Sequence, residues 1–213
     1  DIGADATDLF NYLTGWSDKR DYRKLLVAPI NLRERMTALI EREIEHARRG
    51  RGGRIVMKMN ALVDAGIIRQ LYRASQAGVH IDLIVRGICC LRPGVEGVSD
   101  RIRVRSIVGR FLEHHRIYYF GNAGADDLYI GSADMMPRNI DRRVEVLFPI
   151  ESPALVRQIR DDILASLLAD TVKARLLGED GRYSRVRPAA GAEPFDSQER
   201  LIARLPGPGL PGV

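Results

Sequence analysis

Residues 54–87, RIVMKMNALVDAGIIRQLYRASQAGVHIDLIVRG, decide the fold, because two apolar runs enclose a segment with the periodicity of a helix. The runs 54–60 and 79–87 have the length of strands, and Asp64 stands where it can cap the helix between them. The apolar run 24–30 and the helix expected after it add one more βα unit in front. This β-α-β-α-β order predicts an α/β fold with a mixed, largely parallel sheet and helices on both faces.

The second half of the chain predicts shorter strands and one more helix. Strands are expected at 102–108, 116–122, 127–133 and 142–150. The turn NAGADD between the second and third of these predicts a hairpin, and Pro153 opens the helix. Gly, Pro and Arg then dominate, and the last stretch, LPGPGLPGV, is expected to be disordered. We therefore divide the chain into a leading segment, 1–22, a main domain, 23–178, and a partly disordered extension, 179–213.

Composition limits the classes of function. The 33 Lys and Arg against 28 Asp and Glu give a formal net charge of +5, and this Arg-rich excess favours a polyanionic partner such as phosphate, nucleotide or nucleic acid. Cys89 and Cys90 are adjacent and are the only cysteines, so we expect neither a disulfide framework nor a zinc site, and a reducing compartment such as the cytoplasm. No apolar run approaches the ~20 residues that span a bilayer, so no transmembrane segment is expected. Because the chain begins at Asp1 and not at Met, we expect a fragment of a longer protein.

Two adjacent histidines precede the strand expected at 116–122. Alternate residues of an extended segment share a face, so His114 and Arg116 should point one way, and His115 and Ile117 the other. An imidazole beside a guanidinium suits a phosphoryl group, because the ring exchanges protons near neutral pH and Arg donates a fork of hydrogen bonds. His114 is therefore the candidate for chemistry. The alternative is that both are ordinary histidines at the end of a strand.

The segment LYIGSADMMPRN at 128–139 should lie beside His114 if the predicted hairpin forms. Gly131 would let the backbone approach a ligand, Ser132 offers a hydroxyl, and Asp134 could accept a hydrogen bond from an imidazole. Taken alone, Gly-Ser after a strand is as typical of a plain turn.

These two motifs together resemble the second half of the phospholipase-D-like signature, in which His-x-Lys is followed by Gly-Ser-x-Asn. Arg116 replaces the Lys of that signature, Asp134 replaces its Asn, and the acidic residue expected after the Lys is missing. Longer strings resemble the C-terminal part of bacterial polyphosphate kinases, over roughly residues 7–200. These strings are YRKLLVAPINLR, LIVRGICCLRPG, GRFLEH and SADMMPRNIDRRVEVLFPI.

The resemblance implies a phospholipase-D-like fold and a definite activity. That family reversibly transfers the terminal phosphoryl group of ATP to inorganic polyphosphate, through a phosphohistidine and with Mg²⁺. Its catalytic body has two phospholipase-D-like halves, so 23–178 would be the second half and 1–22 the tail end of the preceding catalytic domain. The phosphorylated histidine belongs to the first half, and His114 matches the histidine opposite it. The resemblance therefore implies that His114 assists as an acid or base and positions phosphate, and that this chain alone is inactive.

Further site residues follow from the same resemblance. Arg86 matches a nucleotide-phosphate contact, and Arg143 matches a second arginine that faces phosphate, although a surface salt bridge would otherwise explain Arg143. Arg116 and Ser132 complete the expected phosphate site. Independently, Arg86 stands at the carboxyl end of a central strand, where α/β sheets bind ligands. Lys58 and Asn60 could reach the same edge, and we rank them below these residues.

The resemblance also implies partners and a compartment. ATP or ADP and polyphosphate are the expected substrates, with the Mg²⁺ ligands outside this chain. We expect contacts with the remaining domains of the same enzyme, a homo-oligomer, no specific nucleic acid, and the cytoplasm, with peripheral membrane association left open.

Two alternatives stay open. One is a phospholipase-D-like phosphodiesterase or nuclease, in which two copies of the chain each supply His114; the missing Lys and acidic residue weigh against it. The other is a non-catalytic module that binds polyanions through its net charge and the basic segment RYSRVRP.

Overall fold

The structure, a computed structural model, describes residues 1–204 and contains one sheet and seven numbered α-helices in that range. The strands, in chain order, are β1 (Leu26–Ala28), β2 (Arg54–Met59), β3 (His80–Val85), β4 (Ile102–Ile107), β5 (Arg116–Phe120), β6 (Asp127–Gly131), β7 (Glu145–Pro149), β8 (Ala174–Leu177) and β9 (Tyr183–Arg185). The helices are α1 (Ile2–Leu13), α2 (Leu32–Arg48), α3 (Ala65–Gln76), α4 (Pro137–Asp141), α5 (Pro153–Gln158), α6 (Ala165–Ala169) and α7 (Ser197–Ala203).

The strands lie in the order β1-β7-β6-β5-β2-β3-β4-β8-β9. The mixed α/β class is confirmed, but fewer pairs of neighbouring strands are parallel than the sequence predicted. Only β2 with β3 and β3 with β4 pair in parallel within residues 1–204, and the other neighbours are antiparallel. The reason is that the β5–β6 hairpin takes the place beside β2, and β1 pairs with β7 at the edge. An apolar run predicts a strand without specifying its neighbour or its direction.

Helices cover both faces of the sheet, and each face has its own core. Alternation along β2 sends Ile55 and Met57 to one face and Val56 to the other. The larger core packs α2 and α3 against the face of Ile55 and Met57. The smaller core packs α5 and α6 against the face of Val56. This division confirms the prediction of a sheet flanked on both sides.

The predicted helix after β2 is present and begins at the expected residue. Asp64 precedes α3, and its carboxylate accepts the backbone N–H of Ile67 at 2.9 Å. The same carboxylate also pairs with both terminal nitrogens of Arg33 on α2, at 2.9 and 2.8 Å. The cap therefore also ties α2 to α3.

The helix that begins at Pro153 contains a π-helical turn, Ile159–Leu164, between α5 and α6. The apolar periodicity predicts Leu155 on the buried stripe, but Leu155 is 49% exposed and its neighbour Val156 is buried. A π turn contains about one residue more than an α turn. The buried residues before and after this turn therefore do not follow a single helical period.

The two ends of the described chain are attached to the sheet. In α1, the buried carboxylate of Asp5 accepts backbone hydrogen bonds from residues 23–25 at 2.6 to 3.1 Å. At the other end, β8 pairs with β4 and β9 pairs with β8, so the sheet continues beyond residue 178. The division at 22 and 178 stays a prediction, and the stretch 205–213 lies outside the described residues.

Two further features of the described residues concern the apolar segments and the cysteines. No helix within residues 1–204 is both long and apolar enough to cross a membrane. Cys89 and Cys90 are both free thiols, and burial raises the pKa of Cys89 to about 11.

Candidate active site

One edge of the sheet collects the residues that the sequence singled out. The carboxyl ends of β2, β3 and β4 lie there, beside the start of β5, the end of β6 and the start of β7. The register shows this, because Lys58 near the end of β2 pairs with Ile117, and Arg116 pairs with Gly131 at the end of β6. The carboxyl edge of parallel strands is where α/β sheets bind ligands.

His114 lies in the loop before β5 and meets Arg116. The Nη1 atom of Arg116 lies 3.1 Å from Nδ1 of His114 and also donates to the His114 carbonyl oxygen at 3.1 Å. Because a guanidinium nitrogen can only donate, this contact assigns Nδ1 as the acceptor and places the proton of the neutral ring on Nε2. The two side chains thus lie on one side of the chain, as the alternation predicted. The strand begins only at Arg116, so both histidines belong to the loop before it, where the His114 N–H bonds to the Leu112 carbonyl.

His115 points to a different environment. It lines an apolar cavity of about 1000 Å³ together with Ile117, and its Nε2 lies 3.7 Å from the carboxylate of Glu113. The side chain of His115 is still 43% exposed, and its partial burial together with the nearby positive charge of Lys58 lowers its pKa to about 4. The two histidines are thus separated as predicted, and only His114 is directed to Arg116.

Asp134 fixes Arg116, where the sequence suggested that it could bond to an imidazole. Its buried carboxylate accepts from Nη2 and Nε of Arg116 at 3.0 and 3.3 Å. It also accepts from the backbone and side-chain nitrogens of Asn60 at 2.6 and 3.2 Å. Burial opposes ionisation of Asp134, but these hydrogen bonds outweigh it and hold its pKa below the usual value. The result is a chain of contacts from Asn60 through Asp134 and Arg116 to His114.

Lys58 and Glu113 form a buried ion pair beneath the histidines. Lys58 has no solvent-exposed surface, and its Nζ lies 3.2 Å from Oε2 of Glu113 and 3.4 Å from the Glu113 carbonyl oxygen. Burial lowers the pKa of Lys58, whereas Glu113 acts in the opposite direction. Arg86 and Arg116 are close enough to contribute to the lowering. Three cations therefore gather at this edge of the sheet.

Sequence reasoning missed Glu113 and Gln198. The amide of Gln198 donates to the carboxylate of Glu113 at 2.8 Å, from a position 85 residues further along the chain. No local spacing in the sequence signals such a contact. For Glu113 there was a signal: a charged residue lies within two positions of both histidines in FLEHHR.

Arg86 follows β3 directly and is partly buried. Its Nη1 is buried and has no hydrogen-bond partner within residues 1–204. Together with Gly109 and Glu113, it lines a cavity of about 430 Å³. A buried N–H donor without a partner can bind an anionic ligand in the neighbouring cavity, because no existing hydrogen bond has to be broken.

Arg143 and Ser132 lie at the same edge without joining this network. Arg143 is exposed in a bend before β7, which begins at Glu145 and not at residue 142 as predicted. The hydroxyl of Ser132 accepts the backbone N–H of Val146 at 3.1 Å. At Gly131, an added Cβ would lie 1.9 Å from the Val146 carbonyl oxygen, so the close approach there is to β7.

Within residues 1–204, no group of three or more His, Cys, Asp or Glu side chains is arranged to hold a metal ion. The carboxylates at the sheet edge are engaged with arginine, lysine or amide groups instead. No residue of this part of the chain is therefore assigned to Mg²⁺.

Comparisons with known proteins identify the family of the chain. The family model described as "Polyphosphate kinase C-terminal domain 2" matches residues 25–198. The polyphosphate kinase of Synechocystis is 59% identical over 204 residues, which cover 96% of this chain and 28% of that protein. The polyphosphate kinase of Pseudomonas aeruginosa is 48% identical over 206 residues, covering 97% of this chain and 30% of its own.

A solved structure shares the fold. The crystal structure of polyphosphate kinase from Porphyromonas gingivalis superposes with a TM-score of 0.91 at 43% identity, over 95% of this chain and 31% of that one. The chain thus spans less than a third of the length of these relatives. From the matched residues and the shared fold, it follows that the chain belongs to the polyphosphate kinase family and carries its C-terminal domain 2.

Proposed function

We propose that the chain is the C-terminal catalytic domain of a polyphosphate kinase, which reversibly transfers the terminal phosphoryl group of ATP to inorganic polyphosphate. One observation carries the proposal. In a chain of this family, His114 and Arg116 meet at the carboxyl edge of the central strands, with Asp134 behind them. This arrangement presents an imidazole and a permanent cation to a tetrahedral anion.

The residues would act on the phosphoryl group mainly by position and charge, as phosphoryl transfer requires. Asp134 holds Nε and Nη2 of Arg116, so the Nη1 edge of the guanidinium stays directed to His114. His114 would donate a hydrogen bond from its Nε2–H to a phosphoryl oxygen, and proton transfer would use its imidazolium form, which becomes the neutral ring when it gives up a proton and regains that proton in the reverse direction. The covalent phosphohistidine would form on a histidine of another domain, as the family resemblance implies.

Arg86, Arg143 and Ser132 are proposed as further contacts to nucleotide or phosphate. The unpartnered buried Nη1 of Arg86 supports its part in this, because a phosphate oxygen would satisfy it. Mg²⁺, when bound with the nucleotide, would neutralise phosphate charge, and we place its ligands outside this chain.

The proposed partners are ATP or ADP, polyphosphate, the remaining domains of the same enzyme, and further copies in a homo-oligomer. The proposed location is the cytoplasm, with peripheral membrane association as the second option. These proposals rest on the family relation and not on a bound molecule.

The test uses the intact enzyme that carries this chain and, in parallel, residues 1–213 alone. With labelled ATP and Mg²⁺, the intact enzyme should form polyphosphate and an acid-labile phosphohistidine, and residues 1–213 alone should form neither. Phosphohistidine on residues 1–213 alone would contradict the division of labour. Hydrolysis of DNA in the presence of EDTA, without polyphosphate synthesis, would support the phosphodiesterase instead. Salt-sensitive polyanion binding without any turnover would support the binding module.

A further inference from the structure

We infer that Gln198 of the C-terminal helix α7 is a positioning residue for His114, an inference that rests on the proposed function. It acts on the histidine loop, which we define as residues 108–115 between β4 and β5. Among backbone hydrogen bonds outside regular elements in residues 1–204, this loop has one, from the His114 N–H to the Leu112 carbonyl. The loop that carries the candidate histidine is therefore held mainly by side chains.

The side-chain amide of Gln198 binds this loop as a neighbouring strand would. Its Oε1 accepts the N–H of Phe111 at 3.1 Å, and its Nε2 donates to the carbonyl of Phe111 at 2.9 Å. The same Nε2 donates to Oε1 of Glu113 at 2.8 Å, and Gln198 is only 5% exposed. The amide thus binds Phe111 and Glu113, which both lie in the loop just before His114.

Gly109 makes this approach possible. A Cβ on Gly109 would lie 2.4 Å from Oε1 of Gln198, well inside contact distance. The bare backbone of the loop and the amide of α7 are therefore complementary in shape as well as in hydrogen bonding.

The position of Gln198 is itself fixed by Asp170, at the end of α6. One oxygen of this buried carboxylate accepts the N–H and the hydroxyl of Ser197 at 2.8 and 2.6 Å. The other oxygen accepts the N–H groups of residues 172–174 at 2.6 to 3.0 Å. Burial opposes ionisation of Asp170, but these donors outweigh it and lower its pKa. The first residue of α7 is thereby anchored to the segment that enters β8.

Glu113 connects this anchor to the sheet. One carboxylate oxygen faces Gln198, and the other faces Lys58 of β2 at 3.2 Å. The residue before His114 is therefore held from two sides, and Arg116 holds His114 itself. Catalytic groups must be placed to within about 0.5 Å, and a displacement of about 1 Å can reduce a rate about 100-fold.

The test measures the intact enzyme with Gln198→Glu and with Gln198→Asn. Glutamate removes both donated hydrogen bonds and adds a charge beside Glu113, whereas asparagine stays neutral but is too short to reach the loop. Gln158→Glu is the matched control, because Gln158 and Gln198 both line the apolar cavity of about 1000 Å³ beside His115, and Gln158 is exposed and has no side-chain hydrogen bond within residues 1–204.

For both Gln198 variants, kcat of polyphosphate synthesis should fall about 10- to 100-fold, and KM for ATP should change less than about twofold. Hydrogen exchange of residues 108–115, measured by mass spectrometry, should rise about tenfold or more, without a rise in β2 or β3. The control should change neither quantity. Assays are made at temperatures where circular dichroism shows each variant folded, and the asparagine variant decides if the glutamate variant does not fold.

Two outcomes would overturn the inference. Faster exchange of the loop with an unchanged kcat would show a purely structural contact, and an unchanged loop would show that Gln198 does not hold it. His114→Ala is measured in the same series. If that variant keeps full activity, both the proposed function of His114 and the inference that rests on it fail. If it loses activity while the Gln198 variants keep theirs, only the inference fails.

Discussion

Arg116 contacts both Asp134 and His114, which explains why an arginine suits the position where the phospholipase-D-like signature has a lysine. Its Nε and Nη2 bind Asp134, and its Nη1 meets His114. A lysine has a single ammonium group and could not span both in a fixed plane. The Arg and the Asp that stand here in place of Lys and Asn therefore fit each other, because the carboxylate binds the guanidinium.

The buried pair of Lys58 and Glu113 predicts a large effect on stability. Lys58→Met should lower the free energy of unfolding by about 3–5 kcal/mol, because it leaves the Glu113 carboxylate buried without its cation. The double variant Lys58→Met with Glu113→Gln should recover most of this loss. Urea unfolding at pH 7 measures both. A single variant within about 1 kcal/mol of the wild type would mean that the pair is not formed.

His115 predicts how stability depends on pH. Its ordinary pKa is 6.5 and its pKa in the folded chain is about 4, so between these values the unfolded chain binds more protons. This contribution to stability is complete above about pH 6.5 and is lost as the pH falls towards about 4.

In His115→Gln, the loss on acidification from pH 6.5 to pH 4.5 should therefore be smaller than in the wild type. Urea unfolding at the two pH values gives the difference, and other groups that titrate in this range cancel in the comparison. Identical acid sensitivity of the two proteins would show that the pKa of His115 is not lowered in the folded chain.

At the scale of elements, the contact between β6 and β7 places the Gly-Ser segment. Gly131→Ala should destabilise the fold by about 1–3 kcal/mol, because its Cβ would collide with the Val146 carbonyl oxygen. Gly3→Ala in α1 is the control, since nothing lies within 4 Å of its added Cβ. That substitution should be neutral or stabilise by up to about 1 kcal/mol. Thermal unfolding of both variants tests this, and equal melting temperatures would refute the close approach.

Elements with a strong local period could be predicted, and their neighbours could not. The unit β2-α3-β3 was correct, because strand and helix periodicity agree there and Asp64 caps the helix. The antiparallel pairing of β1 with β7 was not foreseeable, since it joins Val27 to Val146 across most of the chain. The π turn was also missed, because one extra residue in a helix leaves no mark on composition.

For the whole molecule, the same distinction separates the parts of the site. His114 and Arg116 are two residues apart, so their position on one side of the chain could be predicted from the local sequence. Gln198 reaches Glu113 from the end of the described chain, and only the assembled fold makes this contact visible. Sequence reasoning thus found the pair His114 and Arg116 and missed Gln198 and Glu113, which hold the loop before that pair.

The balance of charge over the whole sheet edge points to the same class of ligand. Lys58, Arg86 and Arg116 gather there, and Glu113 and Asp134 are the carboxylates that face them. Among these five side chains, exposed Arg143 not counted, one positive charge is left over, and Arg86 is the cation whose Nη1 has no partner in the described chain. An anion such as a phosphate group would complete the pairing.

The central claim is that His114, and not His115, takes part in phosphoryl transfer. The measurement is the rate of polyphosphate synthesis by the intact enzyme carrying His114→Asn or His115→Asn, each shown to be folded. The rate of His114→Asn should fall about 100- to 10,000-fold, as expected for loss of a proton-transferring group. The rate of His115→Asn should stay within about threefold of the wild type. Equal losses in the two variants, or an active His114→Asn enzyme, would contradict the account.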